Sequence, residues 1–252
     1  MKFSVSDLLF PGFQKEALPQ LSTRYGIEFF YEFGKNYYWD KEILLWKNRT
    51  FSIHAPCVAV NLADPSDKEA YLSIFEKTFA YAKKCRAAFV VIHTNEAIPG
   101  DLEETKKRVR AKLKQLCKLA KEYGVQIAIE NVGLGPKNND LFSLPDYLQL
   151  FEEFPDAKAL LDTGHAHVNG WDPAQVAEAL GSRLIACHVH DNDGSSDQHL
   201  PVGQGTIEWK PFFAALKKLP TPPVLVLEYA QGFADAKSLG QHIRALKKMY
   251  RI

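Results

Sequence analysis

Short apolar runs alternate with longer amphipathic stretches from one end of the chain to the other. Strand-like segments fall at Phe3 to Val5, Ile27 to Phe33, Phe51 to His54, Ala88 to His93, Val125 to Glu130, Ala159 to Asp162, Leu184 to His190 and Val224 to Glu228. Between them the pattern predicts helices from Pro11 to Tyr25 (interrupted at Pro19), Asp40 to Lys47, Asp64 to Arg86, Leu102 to Tyr123, Ser143 to Phe154, Pro173 to Leu180, Lys210 to Leu219 and Ala234 to Met249. In the third of these, Tyr71, Ile74, Phe75, Thr78, Phe79 and Ala82 recur at helical spacing and mark a core-facing stripe. The run Ala88 to Ile92 is almost wholly apolar, as expected of a parallel strand covered on both faces. Gly124 stands where a helix C-cap is needed. Eight such repeats without a composition break predict an α/β protein: a single (β/α)8 TIM barrel over residues 1–252. An open doubly wound sheet calls for a Gly-rich phosphate turn after the first strand, and Val5-Ser6-Asp7-Leu8 is not one.

In such a barrel the chemistry sits where strands end and loops begin. Those ends carry His54, His93, Glu130, Asp162 with His165 one turn on, His188 with Asp197 and His199 in its loop, and Glu228. Each has a bland reading when taken alone. A histidine at a strand end is often a hydrogen-bonded core residue, Asp162 before Thr163-Gly164 could cap a helix, and Glu130 or Glu228 could pair with lysines. Six strands in succession ending this way are harder to explain blandly. Carboxylates gathered without a cation raise one another's pKa and cost stability. Imidazole and carboxylate together point to divalent ions such as zinc or manganese. His167 and His190, two residues from proposed ligands, are expected to support them from behind.

Composition narrows the setting. Hydrophobic residues make up 46% and charged residues 24% of the 252, which is ordinary for a globular protein, and the net charge of +1 exerts no global pull on nucleic acid. Basic runs such as Lys106-Lys107-Arg108 fall in helix-like segments and read as solvated faces. Cys57, Cys85, Cys117 and Cys187 are widely spaced, so a disulfide framework or thiolate zinc finger is not expected; they read as small buried hydrophobes in a reducing compartment. No apolar run is long enough for a membrane span, and Met1 to Asp7 lacks a secretory pattern, so a cytoplasmic location is expected.

Taken together, Ser52-Ile53-His54-Ala55-Pro56, Ile92-His93, Ile129-Glu130-Asn131, Asp162-Thr163-Gly164-His165, His188-Val189-His190-Asp191, Asp197-Gln198-His199 and Gly203-Gln204-Gly205 resemble the xylose isomerase-like barrel superfamily. That group includes endonuclease IV and many sugar or sugar-phosphate isomerases and epimerases. The resemblance to its epimerases implies one catalytic ion on Glu130, Asp162, His188 and Glu228, with Glu130 and Glu228 as the proton-transferring pair. The resemblance to endonuclease IV implies two further zincs, one on His54 and His93 sharing Glu130, the other on His165, Asp197 and His199. Cys57-Val58-Ala59-Val60 stands where endonuclease IV carries an aromatic wedge for DNA. The missing wedge, the short loops and the lack of a basic stripe weigh against DNA as a partner and leave a smaller phosphodiester open.

The expected activity is therefore metal-dependent isomerisation or epimerisation of a sugar or sugar phosphate, with a trinuclear zinc phosphoester hydrolase as the alternative. A barrel that merely bound a sugar would have little use for so many titratable groups. Gly203-Gln204-Gly205 reads as a tight turn rather than a phosphate cradle. Trp39, Trp171 and Trp209 are placed to wall a sugar face, and Trp46 to pack. The oligomeric state is left open.

Overall fold

Eight parallel strands pair in chain order and close: β1 (Phe3–Ser6), β2 (Gly26–Phe30), β3 (Phe51–His54), β4 (Val90–Ile92), β5 (Ile127–Glu130), β6 (Lys158–Asp162), β7 (Leu184–Val189) and β8 (Val224–Leu227), with β8 hydrogen-bonded back to β1. The structure, a computed structural model, describes residues 1–9, 14–32, 48–67 and 69–252. The helix expected between Asp40 and Lys47, together with Trp39 and Trp46, lies outside the described residues. The expected (β/α)8 barrel is the fold observed.

Side chains on a strand alternate between faces, and here they sort into two cores. Phe3, Val5, Ile27, Phe29, Ile53, Val90, Ile92, Ile129, Leu161, Cys187 and Leu227 join the large core between barrel and helices. The other parity on β4 to β8 forms a small apolar plug of Val91, Ala128, Leu160, Ala186 and Val226, with Phe89 beneath. On β1 to β3 the same parity holds Ser4, Ser6, Glu28 and Ser52, all buried. One half of the barrel floor is therefore apolar and the other polar.

The outer helices begin and end on recognisable signals. Asp101 caps Leu102–Tyr123 by accepting from Glu104 N at 3.0 Å, and Gly124 ends it in the left-handed region at φ 69°. Ser143 and Asp146 form a reciprocal capping box for Leu144–Glu153. Two expectations are corrected. Of the helix expected from Pro11 to Tyr25, the described residues, from Gln14 on, hold the four-residue helix Gln14–Ala17 followed by a 3-10 turn Leu18–Gln20. Pro19 lacks an N–H and disfavours helical backbone before it, so the helix does not propagate. The helix expected from Asp64 starts instead at Ala70, because the Asp64 carboxylate accepts Ser66 N at 2.8 Å and closes a turn.

Asp191 organises the long loop after β7. Its Oδ1 accepts Asn192 N and Ile207 N at 3.0 and 3.2 Å, and its Oδ2 accepts Gly203 N and Trp209 Nε1, both at 2.8 Å. Trp209 is consequently a buried anchor, not a wall for a sugar. Trp171 packs against the outer core and Tyr147. Gly205 is where this loop crosses the backbone: a Cβ there would lie 2.2 Å from Asn192 O. Among the described residues no helix is long and apolar enough to cross a membrane.

Removing Asp191 strands four donors at once. Asp191→Ala is expected to lower unfolding stability in urea by about 3 kcal/mol or more, and Trp209→Phe, which strands no donor and keeps the ring, by about 1 kcal/mol. Equal losses in the two variants would show that the carboxylate does not hold the loop.

Candidate metal centre

Each apolar residue of the inner plug is followed, two positions on, by a polar one at the rim: Val91 by His93, Ala128 by Glu130, Leu160 by Asp162, Ala186 by His188 and Val226 by Glu228. Period-two alternation thus delivers the rim residues to a single layer at the C-terminal ends of the strands. His54 stands two residues beyond Ser52 in the same way. His188 occupies the middle of the layer. Its Nδ1 lies 3.2 Å from Glu228 Oε2, 3.4 Å from Glu130 Oε1 and 3.7 Å from Asp162 Oδ2.

That nitrogen is fully buried and has no hydrogen-bond partner. An imidazole nitrogen set between three carboxylate oxygens, all out of water, completes a donor set of the kind that holds zinc or manganese. Glu130, Asp162 and His188 offer ligand atoms within 4.8 Å of one another, and so do Glu28, His188 and Glu228. The residues fit a divalent cation.

The other expected residues flank this quartet. Glu130 faces two ways: its Oε2 lies 3.1 Å from His93 Nε2 and 3.7 Å from His54 Nε2, while its Oε1 lies 3.4 Å from His165 Nδ1. On the opposite side Asp197 Oδ2 meets His199 Nε2 at 3.0 Å and His165 Nε2 at 3.4 Å. The loop anchored by Asp191 carries Asp197 and His199 over the rim. His199 takes a left-handed φ of 48°, uncommon for a residue with a Cβ, and its Nδ1 donates to Glu228 O at 2.8 Å. All nine expected residues therefore meet at one rim.

Several imidazoles are fixed from behind, which sets which nitrogen faces the site. His54 Nδ1 donates to Ala55 O at 2.9 Å, His165 Nδ1 to Asn131 O at 3.1 Å, and His93 Nδ1 to Glu96 at 2.6 Å. Asp162 has two roles. Its Oδ1 caps the helix Thr163–Val168 by accepting His165 N at 2.7 Å, while its Oδ2 accepts from His190 Nε2 at 2.9 Å. His190 packs so tightly against Gly164 that a Cβ there would sit 2.0 Å from its ring. His167 instead meets Thr206 Oγ1 at 2.8 Å, at the surface.

Two groups escaped the sequence reading. Glu28, fully buried in the middle of β2, accepts from His188 Nε2 at 2.7 Å and from Ser52 Oγ at 2.7 Å. The available signal was a carboxylate inside the apolar run Ile27 to Phe30, which is costly unless paired. Asp7, at the end of β1, accepts Phe30 N at 3.1 Å, and burial followed by the negative charge of Glu28 pushes its carboxyl up to about 7.

Electrostatics make the layer a store of protons. Burial works against charge on Glu130, but the His188 and His93 charges outweigh it and hold this carboxyl well below the usual range. Burial likewise opposes charge on His93, His165 and His188, and the neighbouring carboxylates overcome it and raise all three well above an ordinary histidine. The layer opens onto a cavity of about 250 Å³ lined by the rim residues other than Asp162 and His188, with Leu8, Phe30, Asn95, Lys137 and Asn139.

This barrel with a histidine and carboxylate rim has known relatives. The sequence model of the xylose isomerase-like TIM barrel family matches residues 42–249, and the chain belongs to that family. Among curated proteins, MJ1614 of Methanocaldococcus jannaschii is 28% identical over 174 residues, 67% of this chain and 66% of that protein, so the match spans just under two thirds of the relative. Among solved structures, a D-tagatose 3-epimerase-like protein aligns with a TM-score of 0.79 at 22% identity, covering 100% of this chain and 98% of the other. The IOLI protein with a bound zinc atom aligns with a TM-score of 0.79 at 18% identity, covering 99% and 98%.

Two outcomes follow for metal loading. A cation entering the layer displaces the protons that the imidazoles hold, so zinc binding at neutral pH is expected to release protons. The calorimetric enthalpy should then change with the ionisation enthalpy of the buffer, and an enthalpy indifferent to buffer would contradict the charge arrangement. Glu28→Gln keeps an acceptor for His188 but removes its charge. It should weaken metal affinity by about 10–100-fold in a competition titration.

Proposed function

We propose that this barrel is a divalent-metal-dependent isomerase or epimerase acting on a sugar or sugar phosphate. The observation that carries the reading is the quartet itself: His188 Nδ1 within 3.7 Å of Glu130, Asp162 and Glu228. Two of those carboxylates, Glu130 on β5 and Glu228 just beyond β8, also line the cavity. The family membership and the sugar epimerase-like neighbour support the same class of chemistry.

In this reading Glu130, Asp162, His188 and Glu228 hold the ion. When bound it supplies Lewis acidity, drawing charge from the substrate carbonyl and stabilising the negative oxygen of an enediolate. The chain's own residues move the proton. One of Glu130 and Glu228 takes the proton from the substrate carbon and the other returns it, to the neighbouring carbon for isomerisation or to the opposite face for epimerisation. Glu228 keeps its backbone carbonyl tied to His199, and Glu130 is held by imidazoles on either side, so neither needs to reorganise during transfer. Leu8, Phe30 and Leu134 line the cavity beside these groups and limit the access of water.

A second reading, phosphoester hydrolysis, draws on the two flanking donor sets, His54 with His93 on Glu130 and His165 with His199 on Asp197. Three tightly held zincs with cleavage of a small phosphodiester would favour it. One exchangeable ion with no cleavage favours isomerisation.

Glu130→Gln and Glu228→Gln are each expected to lower exchange of the substrate α-proton with solvent by about 10²–10⁴-fold. Deuterium uptake followed by NMR across a panel of sugars and sugar phosphates measures this. Undiminished exchange in both variants would remove the assignment of the proton-transferring pair.

A further inference from the structure

A second chamber, of about 160 Å³, lies at the other end of the barrel, where the strands begin. The side chains of the barrel floor explain why it exists. Near the starts of β1, β2 and β3 the positions of inward parity are Ser4, Gly26 and Ser52. Bulky branched side chains normally fill such a layer. Two hydroxymethyl groups and a bare glycine leave it open. Gly26 is needed for this close approach, since a Cβ there would lie 2.9 Å from Ser4 Oγ and 3.0 Å from Thr50 O. Phe89 and Val224 bound the chamber on the side of the apolar plug.

The polar side of this chamber is unsatisfied. Ser4 lines it and is only 4% exposed, yet among the described residues its hydroxyl has no hydrogen-bond partner. A buried hydroxyl of that kind is costly unless something accepts from it. Lys2 and Arg24 also line the chamber and reach solvent, so they mark its mouth. Lys2 stands two residues before Ser4 and shares its parity, which puts hydroxyl and cation on one wall. No carboxylate belongs to the described lining, and neither Lys2 nor Arg24 forms an ion pair among the described residues. The sign is opposite to that of the upper cavity, which Glu96, Glu130, Asp197 and Glu228 line.

We propose that this lower chamber is a binding site for a small organic carboxylate, an apolar body of about one ring bearing one negative group. The inference goes beyond the isomerase reading and does not depend on it. Size sets the body: an apolar cavity of roughly 150 Å³ holds a benzene ring. That body packs against Phe89 and Val224, while the carboxylate accepts from the Ser4 hydroxyl and answers the charge of Lys2 and Arg24. A bare phosphate would leave the apolar wall unfilled, and a neutral ring would leave the cations unanswered. Ser52 lines the same chamber, and its Oγ donates to Glu28 Oε2 at 2.7 Å. An occupant therefore sits one hydrogen-bonded side chain away from the carboxylate that supports His188.

Calorimetric titration of the full chain with benzoate tests the proposal, with benzyl alcohol and inorganic phosphate as comparison probes. Benzoate is expected to bind about tenfold more tightly than either. Lys2→Gln combined with Arg24→Gln should bring benzoate down to the level of benzyl alcohol. Ser4→Leu, which fills the chamber, should abolish binding of both ring compounds. The double variant alters only exposed side chains, so the test stands even where Ser4→Leu fails to fold. No binding of benzoate would overturn the site, as would equal affinity for either comparison probe or an unchanged affinity in the double variant. None of these readouts requires turnover, so failure of the isomerase reading leaves them untouched.

Discussion

A single buried imidazole sets the terms for the rest of this structure. His188 sits in the barrel with Glu28 on its Nε2 and three further carboxylates around its Nδ1. Taking ionised groups out of water costs several kcal/mol each even after relaxation, so four carboxylates cannot share this space without positive charge among them. In the protein as described, protonated imidazoles supply that charge. A divalent cation supplies it in a more compact form and frees His188 Nδ1 to act as a donor.

The barrel tolerates this because the polar load is confined to one layer and is supported underneath. On β4 to β8 the layer rests on the apolar plug, while on β1 to β3 Ser52 and Glu28 continue the polar network downward. The strands supply the rigid members, Glu130, Asp162 and His188. The long loop after β7 supplies Asp197 and His199, and Asp191 makes that loop nearly as fixed as a strand by accepting four donors. Such rigidity would suit the proposed proton-transfer pair, whose efficiency falls steeply with misplacement.

Much of this was legible in the sequence, for a physical reason. Parallel strands covered on both faces read as apolar runs, so a histidine or carboxylate at the end of one stands out; six of the nine rim residues stand there, and His165, Asp197 and His199 follow in the segments just beyond. Glu28 was not, because it lies inside its strand rather than at the end, where a β-prone reading absorbs it. The helix expected from Pro11 to Tyr25, with its interruption at Pro19, does not resume beyond Gln20, where local backbone restriction outweighs composition. Trp209 was assigned to a wall because its partner, Asp191, lies eighteen residues away along the chain.

Glu130 decides how the two halves of the rim relate. One of its oxygens faces His188 and His165, the other His54 and His93. A carboxylate engaged on both sides has little freedom to rotate, which fits the proposed role of Glu130 as a base that meets a substrate carbon at a defined angle. The requirement is different in a hydrolytic cluster, where each ion needs an open position to generate its nucleophile. In the proposed isomerase reading the flanking histidines hold Glu130 in place, and the proton transfer belongs to the quartet around His188.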